Sequence, residues 1–186
     1  MADTGVKLTP MTRQYLEVKE GLPEQTILLF RMGDFYELFF EDASQGAQIL
    51  GITLTKRAGI PMAGIPYHAL TNYLPKILKA GVKVAIAEQM EDPKEAKGIV
   101  RREVTRIITP GTIIEDNILS EKKSNFIAAI CRGKKKTGIA SLDLSTGDYR
   151  LTEVNTDREL EIEIHRLSPA ECLSTLSAHP SFAFQK

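Results

Sequence analysis

Thr26-Ile27-Leu28-Leu29-Phe30-Arg31-Met32-Gly33-Asp34-Phe35-Tyr36-Glu37-Leu38-Phe39-Phe40 is the stretch on which the fold turns. Its first seven residues are a short apolar run ending at Gly33, the pattern of a buried strand. Asp34-Phe35-Tyr36-Glu37 then has the D-x-x-E spacing of a helix capping box. Beyond it Tyr36, Phe39, Phe40, Ala43, Ala47 and Leu50 recur on one helical face until Gly51, a glycine placed to end a helix. The stretch therefore predicts strand, tight turn and helix over residues 26–51.

The same alternation continues on both sides. Thr9 as N-cap and Pro10 at the first helical position predict a helix over 8–22, stopped by Gly21 and Pro23. Downstream, 52–55 reads as a second short strand. Residues 56–68, with two glycines and two prolines, read as a structured loop, followed by a helix over 69–80 and strands over 82–88 and 102–109. This is an α/β pattern, α+β in its mixing of elements, closing near residue 110. Residues 111–123 read as a linker. A second unit, 124–186, has strands over 125–131, 137–144 and 148–154, a helix over 157–167 and a last short strand over 169–173. Its 63 or so residues are few for an independent core, so it reads as part of a domain.

Composition excludes several classes. No apolar run is long enough to span a bilayer, and the first 20 residues lack a signal-peptide core. Cys131 and Cys172 form neither a metal nor a disulfide pattern, so the expectation is a cytoplasmic chain with both thiols reduced and buried as small apolar residues. Net charge is zero, which argues against indiscriminate nucleic-acid binding. Its distribution is uneven: residues 1–48 hold four basic and eight acidic side chains, whereas 49–110 hold ten basic and five acidic. The second segment is either a phosphate-facing surface or a solvated face of mixed charge.

Enzyme signatures are missing. There is no phosphate-binding P-loop, no G-x-S-x-G and no H-E-x-x-H, and His68, His165 and His179 are scattered as surface or structural residues. Asp143 and Asp148 flank a Ser-Thr-Gly turn. They leave two readings, a hairpin built on turn chemistry or a metal-dependent nuclease of ribonuclease-H type using Asp143. Phe35 is the unusual aromatic. Tyr36, Phe39 and Phe40 fit the inward helical face, but Phe35 lies off it, either packed or exposed as a wedge that enters between bases.

Arg31 to Phe40 resembles the signature of the MutS mismatch-recognition domain. The blocks Thr9-Pro10-Met11 with Gln14-Tyr15-Leu16, Leu54 to Arg57, Ile60 to His68, Ala85 to Gln89, Asp92-Pro93, Arg106 to Thr112 and Ser141 to Gly147 resemble that family in the same order, over about residues 8–175. The resemblance implies a mixed-sheet mismatch-recognition domain over 1–110 and a partial ribonuclease-H-like connector domain over 124–186. It implies that Phe35 stacks on a mispaired or unpaired base from the minor groove and that Glu37 hydrogen-bonds it. Lys56, Arg57, Met62, Tyr67 and His68 would line the same groove or its phosphates. It further implies duplex DNA as partner, a MutL-type repair protein docking on the connector, and a homodimer in full-length members. Those members are DNA-dependent ATPases using ATP and magnesium, whereas this chain is expected to be no enzyme and to hold no cofactor or metal. A third reading makes the chain a protein-docking fragment with no DNA role. The chain departs from the family where Ala58-Gly59 alone joins Lys56-Arg57 to Ile60-Pro61-Met62.

Overall fold

The computed structural model describes residues 9–92, 98–113 and 124–174. The chain divides into two compact units, Met1–Ile108 and Thr109–Lys186. Most of the expected linker, and His179, lie outside the described residues.

The first unit is a six-stranded mixed sheet with helices on both faces. In chain order its elements are α1 (Pro10–Glu20), β1 (Thr26–Met32), β2 (Phe35–Phe39), α2 (Phe40–Leu50), β3 (Thr55–Arg57), β4 (Ile60–Pro66), α3 (Leu70–Lys79), β5 (Lys83–Gln89) and β6 (Arg102–Ile108). The sheet order is β3-β4-β2-β1-β5-β6. β1 and β5 are parallel, and the other neighbours are antiparallel. β1 lies mid-sheet with both faces covered, so Ile27, Leu28, Leu29 and Phe30 are all buried and its sequence is a continuous apolar run rather than an alternating one. Leu28 and Phe30 pack with Tyr15 of α1, Phe39, Ile60, Ala85 and Ala87. α2 lies against β2 and β4, and α3 against β5 and α2. α2 approaches closely, since a Cβ on Gly46 would fall 2.5 Å from Leu38 Cδ2.

The decisive stretch differs from its expected form. Residues 35–39 are not the first turns of a helix but a second strand, antiparallel to β1 with Phe30 opposite Glu37 and Met32 opposite Phe35. Asp34 is therefore a turn residue beside Gly33 (φ +59) and caps no helix. Phe35-Tyr36-Glu37-Leu38-Phe39 fits both periods, and its aromatic composition decides for strand once β1 and β4 offer partners on either edge. The helix begins instead at Phe40, whose φ of +54 turns the chain sharply out of the sheet. Such a backbone costs a phenylalanine about 1–2 kcal/mol, and the neighbouring contacts must hold it.

The main restraint is Asp42, in the first turn of α2 and 5% exposed. Its carboxylate accepts from Tyr15 Oη at 2.7 Å, Lys19 Nζ at 2.7 Å and the Leu28 N–H at 3.0 Å, joining α1, β1 and α2. Burial, and then the Asp42 charge, push the Tyr15 phenol well above the ordinary tyrosine range, so it remains a donor.

A second correction concerns 52–68. Residues 52–54 form no strand, and the expected loop is the β3–β4 hairpin, closed by Ala58 (φ +51) and Gly59 (φ +82). Two positive φ angles suit a two-residue turn that follows the strand twist. The prolines that argued for a loop sit where β4 lacks one neighbour: Pro61 lies outside the span paired with β2, and Pro66 outside the span paired with β3.

The second unit is a four-stranded sheet of order β10-β7-β8-β9, formed by β7 (Phe126–Arg132), β8 (Thr137–Asp143), β9 (Asp148–Val154) and β10 (Glu171–Ser174). β7, β8 and β9 form an antiparallel meander, and β10 returns parallel to β7 after helix α4 (Asp157–Leu167). Thr156 caps α4 by accepting the Glu159 N–H at 3.2 Å. Leu160, Ile164 and Leu167 of α4 pack on Phe126, Ile130, Ile139 and Val154. The overall mixture is α+β, as expected. The thiols differ from expectation: Cys131 is exposed and Cys172 half-buried, with burial raising the Cys172 thiol.

Candidate nucleic-acid interface

The β1–β2 hairpin presents its first strand residue outward. Phe35 is 49% exposed, although its neighbours Tyr36 and Leu38 are buried. Strand alternation puts Phe35, Glu37 and Phe39 on one face of β2. Phe39 there enters the core, which fixes the strand's orientation and leaves Phe35 projecting at the hairpin end. Register places Pro66, Gly64 and Met62 of β4 opposite Phe35, Glu37 and Phe39.

Glu37 is less open. Its side chain is 14% exposed, and its Oε2 accepts from Arg57 Nη1 at 2.6 Å. Gly64 leaves room beside it, since a Cβ there would meet Glu37 Cγ at 3.8 Å and the Tyr36 carbonyl oxygen at 3.3 Å. Arg57 is itself 48% exposed, so this ion pair is worth only about 0.2–1 kcal/mol after solvent screening. Glu37 also lies in the field of Arg102, whose guanidinium is lowered by burial, against which Glu37 works. Arg102 is anchored by bonds to the carbonyl oxygens of Arg31 at 2.5 Å and Val100 at 2.8 Å, and to Gln14 Oε1 at 3.2 Å.

Tyr67 and His68 occupy a short 3-10 turn after β4. The Tyr67 N–H donates to the Asp34 carbonyl at 3.0 Å, tying this turn to the hairpin that carries Phe35. Arg31 places its guanidinium 3.6 Å from the Tyr67 ring centroid, donates through Nε to the Gly33 carbonyl at 2.5 Å, and lies 3.6 Å from Glu88 Oε2. Glu88 also accepts from the Tyr36 hydroxyl, which burial and then this bond push up to about 12. Tyr67 remains 41% exposed, and its ring meets His68 edge-on at 5.7 Å.

The structure thus gathers Phe35, Glu37, Arg57 and Met62 on one sheet face, with Tyr67 and His68 beside the hairpin end. Lys56 is exposed, but alternation along β3 points it to the face opposite Arg57. Met62 is half-buried and packs on the core rather than standing free. Sequence reasoning overlooked Arg31 and Arg102 as site residues. Arg31 stood inside the quoted stretch, but its stacking on Tyr67 joins residues 36 apart and leaves no local signal.

The nuclease reading of Asp143 does not fit. The residue is 1% exposed, and its carboxylate accepts from Ser145 Oγ at 2.6 Å, the Ser145 N–H at 3.0 Å and the Asn125 N–H at 2.9 Å. It closes the β8–β9 turn. No group of three or more His, Cys, Asp or Glu side chains that would hold a metal ion is found among the described residues. Burial acts to raise the Asp143 carboxyl, but the hydrogen bonds outweigh it and hold the group below the usual carboxylate range. Such a depressed value contributes stability that is fully present above the unfolded carboxylate pKa of about 4 and lost as pH falls through the folded value. Asp143→Asn should therefore lose stability at neutral pH and flatten the acid limb of the melting-temperature profile. An acid limb identical to that of the parent chain would refute this role.

The fold and the site together define a class: a mixed-sheet module that holds a half-exposed phenylalanine and a paired carboxylate on one strand of a hairpin, followed by a smaller meander-and-helix unit. Residues 9–117 match the family model described as MutS domain I, and residues 125–183 match MutS domain II. The chain belongs to the MutS family. It is 54% identical over 173 residues to the DNA mismatch repair protein MutS of Syntrophomonas wolfei, covering 89% of this chain and 20% of that protein. Identity is 52% over 175 residues to the MutS of Methanothrix thermoacetophila, with 91% and 20% covered. To that of Protochlamydia amoebophila it is 48% over 169 residues, again with 91% and 20% covered. The chain thus spans about a fifth of the length of these curated relatives. No described helix is long and apolar enough to cross a membrane.

Proposed function

We propose that the first unit recognises mispaired or unpaired bases in duplex DNA, as the opening step of mismatch repair. Phe35 enters the minor groove as a wedge and stacks on the faulty base, while Glu37 accepts a hydrogen bond from it. The observation that carries this reading is the half-exposed Phe35 on a hairpin end whose neighbours are buried, with Glu37 on the same strand face. A wedge must unstack a base step and bend the duplex, at about 1–6 kcal/mol for the bend. A mismatch has already lost part of its pairing and stacking, so that cost falls selectively there. Arg57, Tyr67 and His68 flank the wedge as groove or phosphate contacts, while Lys56 serves only phosphates reached around the sheet edge. The relatives' name supports the reading, since each is a DNA mismatch repair protein.

In this reading the second unit docks a MutL-type repair partner, and no residue of this chain is assigned an ATP- or magnesium-dependent step or dimerisation. Fluorescence-anisotropy titration at low salt, against matched and single-mismatch duplexes, tests the first unit's role. Tighter binding to the mismatch, weakening steeply with salt, is expected. Equal affinity for the two duplexes would count against base recognition. No binding to either would favour a role in protein docking alone.

A further inference from the structure

The Glu37–Arg57 pair has a consequence for selectivity that rests on the reading above. Glu37 lies across from Gly64 and is capped by Arg57 at 2.6 Å. The two cations near it differ in freedom. Arg102 is buried and tied by three hydrogen bonds, with its guanidinium held 5.1 Å from the ring centroid of Phe30, the cross-strand partner of Glu37. Arg57 is half-exposed beside a two-residue hairpin turn, and the contact with Glu37 is its single charged partner among the described residues.

We propose that Arg57 is a displaceable counterion of Glu37, and that exchange of Arg57 for a base N–H marks the mispaired site. On matched duplex the ring N–H groups stay engaged in pairing, Arg57 remains on Glu37, and neither charge meets the DNA unmasked. At a mispaired or unpaired base a freed N–H donates to Glu37. Arg57 is released beside the backbone and takes up a phosphate. The mismatch complex therefore neutralises one more phosphate than the matched complex. Arg57 is thus a specificity-determining residue acting through Glu37, rather than a constant phosphate contact.

The test is the salt dependence of binding by the full chain to matched and single-mismatch duplexes. Each added phosphate contact steepens the slope of log K against log salt by about 0.9. The wild-type slope should be steeper for the mismatch by about that amount. Arg57→Ala should abolish the difference and Arg57→Lys should retain it. Glu37→Gln, which frees Arg57 on any duplex, should tighten matched binding several-fold and steepen its slope to the mismatch value. A mismatch preference with equal wild-type slopes, or a slope difference that survives Arg57→Ala, overturns this exchange alone. A wild-type chain with no mismatch preference overturns the base-recognition reading and the exchange with it.

Discussion

Phe35→Ala should abolish the preference for mismatched over matched duplex while leaving weak, sequence-indifferent binding. Aromatic stacking on a base is worth roughly 1–3 kcal/mol, or about 5- to 150-fold in affinity, and the alanine side chain has no ring to supply it. The loss should fall on the mismatch complex, because only there is the base step cheap enough to open. Matched binding rests on phosphate contacts, which the substitution does not touch. The fold should survive. Half of the Phe35 surface already lies in water, and Phe39, two residues on, anchors the strand in the core. Titration of the variant against both duplexes, with a thermal melt alongside, separates the two effects. A variant that melts like the parent and retains the full mismatch preference would remove Phe35 from the recognition step.

Asp42→Ala should be the most damaging single change to stability in the first unit. The substitution strands the Tyr15 hydroxyl and the Leu28 N–H, both on buried residues, and leaves Lys19 with only its bond to the Thr26 carbonyl. Each buried donor left unpaired costs about 1–3 kcal/mol. The Lys19 contribution is discounted, because its side chain is 33% exposed. The sum is roughly 3–5 kcal/mol, against a typical domain stability of about 5–15 kcal/mol. The carboxylate also braces the helix start at Phe40, where the positive φ stores strain. Urea denaturation followed by circular dichroism should therefore show a large drop in midpoint, with Asp42→Asn intermediate because it keeps an acceptor. A loss below about 1 kcal/mol would mean that water replaces the carboxylate.

Much of this architecture was legible in the residues. Thr9-Pro10 marks the start of α1, the helix expected over 157–167 is α4, and the apolar runs of β1, β5 and β7 lie within a residue or two of their observed bounds. Two places misled, for physical reasons. Between Phe35 and Phe40 the apolar spacing satisfies helix and strand periods together, and only the partners β1 and β4, the latter more than 20 residues away, decide between them. Around Pro61 and Pro66 local composition argues for loop, and only the register reveals that each proline meets a missing neighbour. The site was legible in its parts. Phe35, Glu37 and Arg57 were singled out in sequence, but their shared face depends on β2 being a strand. The ion pair between residues 37 and 57, and the Arg31–Tyr67 stack, arise from cross-strand geometry that has no signature in either segment.

The most direct test of the central claim is photocrosslinking with 5-iodouracil placed as the mispaired base in a short duplex. Irradiation of the complex joins this base to an aromatic ring stacked on it, and peptide mapping locates the adduct. A single major adduct at Phe35, dependent on the mismatch and lost in Phe35→Ala, is expected. Adducts at another residue, or an equal yield from the matched duplex, would contradict it.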